Sequence, residues 1–151
     1  MALDLRKEEI QMIRRIVCLV TFGLILSGIT AMAGDSEKEA AAVSAAQRWL
    51  AMVDSTKYAE SWNNAAELFQ NAVPPKQWEQ SMQAVRGPLG KLMSRKVKTK
   101  TYKSSLPGAP DGEYVVIQFE ATFENKKAAV ETVTPMMDKD GIWRVSGYYI
   151  K

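Results

Sequence analysis

The chain has no histidine and a single cysteine, Cys18, among its 151 residues. Two counts close off whole classes of chemistry. Without imidazole there is no Ser-His-Asp or Cys-His nucleophile. A histidine-based or cysteine-rich zinc site is equally excluded, and one thiol cannot form an intrachain disulfide. Charge of either sign is not in large excess: 20 basic side chains face 17 acidic ones, for a net +3. That gives nucleic-acid binding little support. What is present is a globular balance, 46% apolar and 25% charged residues, in a length that suits one domain with a short appendage.

The first segment supplies an address. Arg14 and Arg15 precede an uncharged run from Ile16 to Ile29, and Ala31-Met32-Ala33 then forms an A-x-A site before Gly34. These are the three parts of a secretory signal peptide, and the run is short for a membrane span of about 20 residues. The expectation is cleavage between Ala33 and Gly34 and a periplasmic or secreted product. Membrane attachment arises only through an uncleaved leader. Residues 1–11 carry Asp4, Glu8 and Glu9, an acidic start that suits a signal peptide poorly, so translation is expected to begin at Met12. Cys18 leaves with the leader. The mature part, residues 34–151, then folds in an oxidising space without thiol or disulfide.

Within residues 34–151 the hydrophobic period is first 3.6 and then 2. Ser36-Glu37-Lys38-Glu39 fits a capping box. It opens a helix to about Val53, with Val43, Ala46, Leu50 and Val53 on one stripe and Trp49 beside it. Asp54 ends that helix. Tyr58, Trp62, Ala65 or Ala66, and Phe69 predict a second helix with an aromatic face. Pro74-Pro75 separates it from a third, on the stripe Trp78, Met82, Val85 and Leu89. From Arg95 the pattern alternates. Val97, Thr99 and Thr101 interleave with Lys96, Lys98 and Lys100. Val115, Ile117, Phe119, Ala121 and Phe123 share a face. Val130–Met137 and Ile142–Ile150 follow after turns at Glu124–Lys127 and Asp138–Gly141. Short turns imply antiparallel pairing. The reading is α+β: one domain over 34–151, with three N-terminal helices packed on a four-stranded antiparallel meander.

Several blocks in order carry a resemblance. They are Ala46-Gln47-Arg48-Trp49-Leu50, Tyr58-Ala59-Glu60-Ser61-Trp62, Val85-Arg86-Gly87-Pro88-Leu89-Gly90, the stretch Leu106 to Val116, and Trp143-Arg144-Val145-Ser146-Gly147-Tyr148-Tyr149-Ile150. Together they resemble a bacterial exported family catalogued as domain of unknown function 4019. The resemblance covers about Ala46 to Lys151. It implies an address outside the cytoplasm and a nuclear-transport-factor-like (NTF2-like) or cystatin-like roll, and it brings no catalytic residue.

Candidate chemistry is weighed against plainer roles. Acid–base catalysis needs a buried carboxylate with a raised pKa; the candidates are Asp54, Glu60, Glu67, Glu120 and Glu131. Glu120 and Glu131 are expected at the solvent face, paired across strands with Lys98 or Lys100. Asp138-x-Asp140-Gly141 starts like a calcium loop, but the later positions do not supply ligands, which leaves a hairpin turn. Arg86, at a helix end beside glycine, could hold an anion or a carboxylate, or serve its own helix's terminal carbonyls. Lys96, Lys98, Lys100 and Lys103 form a basic strand edge, suited to an anionic partner or to protection against edge pairing.

The functional expectation is an exported, non-catalytic domain. It would bind a small apolar ligand in the roll or a protein partner in the cell envelope. Tyr58, Trp62, Arg86, Trp143 and Tyr148 are its candidate pocket or anion contacts. No cofactor, metal or nucleic acid is expected. A homodimer through an apolar sheet face is one arrangement the fold would permit. The competing expectation is an isomerase- or hydratase-like enzyme using a buried carboxylate in the cavity of the roll.

Overall fold

The computed structural model describes residues 29–151, with side chains from residue 34 onward. Cys18, both candidate start sites and most of the apolar leader lie outside the described residues. Two compact units divide the chain, residues 1–37 and 38–151; the described part of the first is the opening of one helix. Among the described residues no helix is long and apolar enough to cross a membrane.

Helix α1 spans Ile29–Asp54. It therefore does not start at Ser36 as the capping-box pattern predicts: Ser36 lies inside the helix, because the alanine- and methionine-containing residues before it also favour helix. In the second unit its buried stripe is Ala42, Ala45, Ala46, Trp49, Leu50 and Val53, the i, i+3, i+4, i+7 spacing of one helix face. The helix stops at Asp54 in a Schellman turn. Lys57 N–H donates to the Met52 carbonyl at 2.9 Å and Thr56 N–H to the Val53 carbonyl at 3.0 Å. Thr56 occupies the left-handed position, φ 58°.

The expected second helix is two short ones, α2 (Tyr58–Asn63) and α3 (Glu67–Ala72). The break has a tertiary cause. Ala66 is extended, and its N–H leaves the helical pattern to donate to the Val145 carbonyl at 2.9 Å. Helix α4 spans Pro75–Arg86, with Pro75 in its first turn, and a short 3-10 turn Gly87–Leu89 follows. Its buried residues are Trp78, Met82 and Arg86. The predicted stripe put Val85 inward; Val85 is 41% exposed, because the strict i, i+4, i+8 row ends on Arg86.

Strands β1 (Leu92–Lys103), β2 (Tyr114–Phe123), β3 (Lys126–Met137) and β4 (Trp143–Ile150) form an antiparallel sheet in chain order. The fold is thus α+β with a four-stranded meander, and with four described helices where three were expected. One sheet face carries Val115, Ile117, Phe119, Val133 and Val145. These pack with Ala46, Trp49, Leu50, Phe69, Trp78 and Met82 from the helices in one core. Burial of such aromatic and aliphatic side chains is the main stabilising term, about 25 cal/mol per Å².

Helix α1 runs alongside β1 in the opposite sense. Partway along it the Glu39 carboxylate accepts the backbone N–H of Tyr102 at 3.2 Å, and at its end Asp54 meets Arg95 at 2.6 Å. The outward sheet face is largely polar: Lys96, Gln118, Glu120, Thr122 and Thr132 stand on it beside the 61% exposed Tyr149. The apolar outward face on which the homodimer expectation rested is therefore not what this sheet presents.

Candidate functional site

Four charged side chains and one phenol converge where the ends of α1 and α4 meet the sheet. Asp54 is the last residue of α1, and Arg86 the last of α4. Arg95 stands on β1, Glu131 on β3 and Tyr148 on β4. Strand register explains the meeting. Arg95 pairs with Ala121, which pairs with Ala129, so all three share the inward face. Glu131 lies two residues beyond Ala129 on that face, and Tyr148 lies opposite Val133.

The contacts are short and complete. Arg95 reaches Asp54 from Nη1 to Oδ2 at 2.6 Å and from Nη2 to Oδ1 at 2.9 Å. It also donates from Nε to Glu131 Oε2 at 2.5 Å and from Nη2 to Oε1 at 3.1 Å. Arg86 donates to Asp54 Oδ1 at 2.5 Å and to Glu131 Oε1 at 2.8 Å. Tyr148 donates to Glu131 Oε1 at 2.7 Å and accepts from Arg86 at 3.2 Å. The Arg86 guanidinium also lies over the Phe123 ring, 4.6 Å from its centroid. Two positive and two negative charges cancel, and no buried side-chain polar atom among the described residues lacks a partner. Such a cluster is neutral as a unit and costly to open, since each member left alone is a buried charge.

Its electrostatics follow. Burial works against the charge of Arg95, but hydrogen bonds to Asp54 and Glu131 outweigh it and raise the pKa above the usual arginine value. Burial first, and the nearby Glu131 charge second, raise the pKa of the Tyr148 phenol. Beside Tyr148 lies an aromatic group. Trp49 is 5.6 Å from both Trp78 and Tyr148, and Phe69 meets Trp78 edge-on at 5.1 Å. Ser61, fully buried, ties it together: its hydroxyl accepts from Trp78 Nε1 at 3.0 Å and donates to the Tyr58 carbonyl, while its own carbonyl accepts from Trp49 Nε1.

Of the five residues singled out from the sequence, Arg86 and Tyr148 meet in the cluster. Tyr58 is buried and lines a groove of about 240 Å³ together with Asp54, Arg86 and Glu124. Trp62 is apart, its indole N–H donating to the Val73 carbonyl at 2.7 Å. Trp143 lines a different groove with Arg48 and Arg144.

Sequence reasoning placed Glu131 at the solvent face, and this is overturned: Glu131 is 0% exposed and bound by two arginines. Glu120 does face outward and meets Lys98, and also Lys96, at 3.4 and 3.0 Å, whereas Lys100 pairs with Glu39. The sequence pattern marks Arg95 only as the start of the alternation and gives it no site role. The Asp138–Gly141 segment is a hairpin turn, closed by Asp138 N–H on the Ile142 carbonyl, with Asp140 held by Arg144 at 2.8 Å.

The carboxylates in this cluster are poorly placed for acid–base work. Every oxygen of Asp54 and Glu131 already accepts a hydrogen bond, and a general base must be reachable by its substrate. Among the described residues no group of three or more acidic side chains is arranged to hold a metal ion.

The fold and the site together define a small α+β domain whose helices close one face of a meander sheet over a buried, self-neutralising charge cluster. Residues 45–148, more than half of the chain, match the family model described as "Protein of unknown function (DUF4019)". The chain belongs to that family. No curated protein and no solved structure matches it.

Proposed function

We propose that this protein is an exported, non-catalytic domain that binds a macromolecular partner through its surface, in the periplasm or outside the cell. The observation that carries this reading is the closed interior. The charged groups between helices and sheet satisfy one another, and the space beside them is taken by Trp49, Phe69, Trp78 and Tyr148. Two surface grooves, one beside Asp140 and Arg144 and one beside Lys96 and Glu120, are lined mainly by polar side chains, while the groove at Trp143 is mostly apolar, with Ala45, Trp49, Met52, Ile142 and Val145. Ligand sites are ordinarily concave and mostly apolar, so the small apolar ligand in a roll cavity has less behind it than a partner held from outside. The isomerase- or hydratase-like alternative needs a carboxylate that substrate can reach, and Glu131 has no exposed surface.

The address rests on the leader motif of residues 12–33. Helices covering one face of an antiparallel meander also suit an NTF2-like or cystatin-like roll, here with its interior filled.

Native mass spectrometry of protein recovered from its own cell envelope tests the reading. The expected species begins at Gly34 and carries no stoichiometric organic molecule. A retained small molecule at one per chain would overturn surface binding, and a chain still bearing the leader in the cytoplasm would overturn export.

A further inference from the structure

We propose that the groove across the outward face of β1, β2 and β3 binds an acidic, extended segment of a partner protein; this rests on the surface-binding reading above. The groove has a volume of about 750 Å³, and four lysines line it, Lys96, Lys98, Lys127 and Lys151, around one carboxylate, Glu120. Their convergence comes from the sheet. Lys96 pairs with Glu120, Glu120 with Val130, and Val130 exchanges both backbone hydrogen bonds with Lys151. One row across the strands thus carries cations at both ends.

Protection of an exposed edge accounts for the lysines on β1 and for Lys151 beside the other edge strand, β4. It does not account for Lys127 on the inner strand β3, which shares the groove with Lys96, Lys98 and Lys151. The chemistry of the cations selects the ligand. Lysine is a compact, mobile point charge, whereas phosphate recognition favours the arginine fork. The arginine at this groove, Arg95, is committed to Asp54 and Glu131. Spread lysines around a wide trough suit spread carboxylates. Lys96 and Lys98 flank a register shift in β1 and both reach Glu120, at 3.0 and 3.4 Å, so they form one cationic cluster at this end of the row, with Lys127 and Lys151 further along the groove. An extended segment carrying several carboxylates therefore meets cations along its length, and the positive field steers its approach.

The test uses the purified full chain and a labelled synthetic decapeptide of alternating Glu and Thr, read by fluorescence anisotropy at low salt. Saturable binding is expected. The variant Lys96→Gln/Lys127→Gln/Lys151→Gln should lose roughly tenfold in affinity, since exposed ion pairs are individually weak. The control Lys57→Gln/Lys76→Gln/Lys139→Gln removes the same charge elsewhere and should stay within about twofold. Glu120→Gln releases Lys96 and Lys98 and should tighten binding. Equal losses in the two triple variants, or no saturable binding, would overturn the proposal. Displacement of the peptide by phosphatidylglycerol vesicles, lost in the groove variant, would reassign the groove to lipid headgroups and overturn it too. None of these results bears on a retained small molecule, so failure here and failure of the surface-binding reading are separately visible.

Discussion

Arg95 holds Asp54 fork to fork, through two hydrogen bonds of 2.6 and 2.9 Å, and so pins the end of the first helix to the first strand. The same guanidinium reaches Glu131 on the third strand, and Arg86 repeats the bridge from the fourth helix. Two arginines thus join four separate elements at one buried point. The arrangement neutralises itself, which decides how it responds to substitution.

Removing one charge should cost far more than removing a matched pair. Arg86→Met leaves two carboxylates against one guanidinium with little solvent access, at a cost of about 3–5 kcal/mol. The double variant Arg86→Met/Glu131→Leu leaves Asp54 with Arg95 and should recover most of that loss. Urea unfolding followed by tryptophan fluorescence measures both. The expected pattern is a large fall in midpoint for the single variant, at unchanged slope, and a partial return in the double. A single variant within about 1 kcal/mol of the parent would show that the cluster does not lock the fold.

How far this cluster was legible from the sequence depends on the residue. The strands were readable because Val115, Ile117, Phe119, Ala121 and Phe123 alternate without interruption and all prove inward. Asp54 was readable as a helix end. Arg86 was readable as a residue able to hold a carboxylate, but not whose. Glu131 was misread because charge was allowed to outweigh phase. It stands in step with Ala129 and Val133, both buried, and that phase was the signal for an inward side chain. Its burial is tolerable only because Arg86 and Arg95 arrive from 45 and 36 residues away, and no local pattern announces such partners. The split of the second helix was hidden for the same reason: Ala66 is drawn out by a carbonyl on the last strand.

Tyr148 should make the fold sensitive to alkali. Burial and the Glu131 charge raise its pKa above the ordinary 10.0. The folded chain then keeps the phenolic proton at pH values where the unfolded chain has lost it. Its stabilisation is complete below about pH 10 and is lost as pH rises towards the folded-state pKa. Tyr148→Phe removes the titration together with the hydrogen bond to Glu131. Thermal midpoints of parent and variant should therefore differ by a constant amount below about pH 10 and converge above it. Curves that stay parallel through the alkaline range would show that Tyr148 does not titrate differently in the two states. On the acid side, Lys96 and Lys98 lower the pKa of Glu120, and Arg144 that of Asp140. Those contributions are present above the unfolded pKa values and lost as pH falls; both groups are exposed, so salt should weaken them.

Ser61→Ala should destabilise well beyond its size. The hydroxyl accepts from the Trp78 indole and donates to the Tyr58 carbonyl in a fully buried position. Its loss strands the Trp78 indole N–H, at about 1–3 kcal/mol when unsatisfied, while the Tyr58 carbonyl keeps its place in the first turn of α2. Trp78 packs against the tilted Trp49 ring and meets Phe69 edge-on, so its emission should change along with the unfolding midpoint. Serine-like stability and unchanged emission in the alanine variant would show that the indole finds another acceptor.

Thr56→Gly should stabilise the protein although it deletes side-chain atoms. Thr56 is the described non-glycine residue with positive φ, at 58°. It sits at the left-handed position of the turn that ends the first helix, where a β-branched side chain costs about 1–2 kcal/mol. Glycine adopts that conformation without the clash, and its extra freedom in the unfolded chain returns part of the gain, about 0.5–1 kcal/mol. The net expectation is a rise in thermal midpoint of a few degrees, about 0.5–1 kcal/mol in favour of the folded state. The turn also aims Asp54 at its two arginines two residues earlier. A gain confined to stability, with the Tyr148 alkaline titration unchanged, would show that strain at Thr56 is not what holds Asp54 in place. A fall in midpoint would mean that the threonine side chain makes contacts worth more than the backbone strain it imposes.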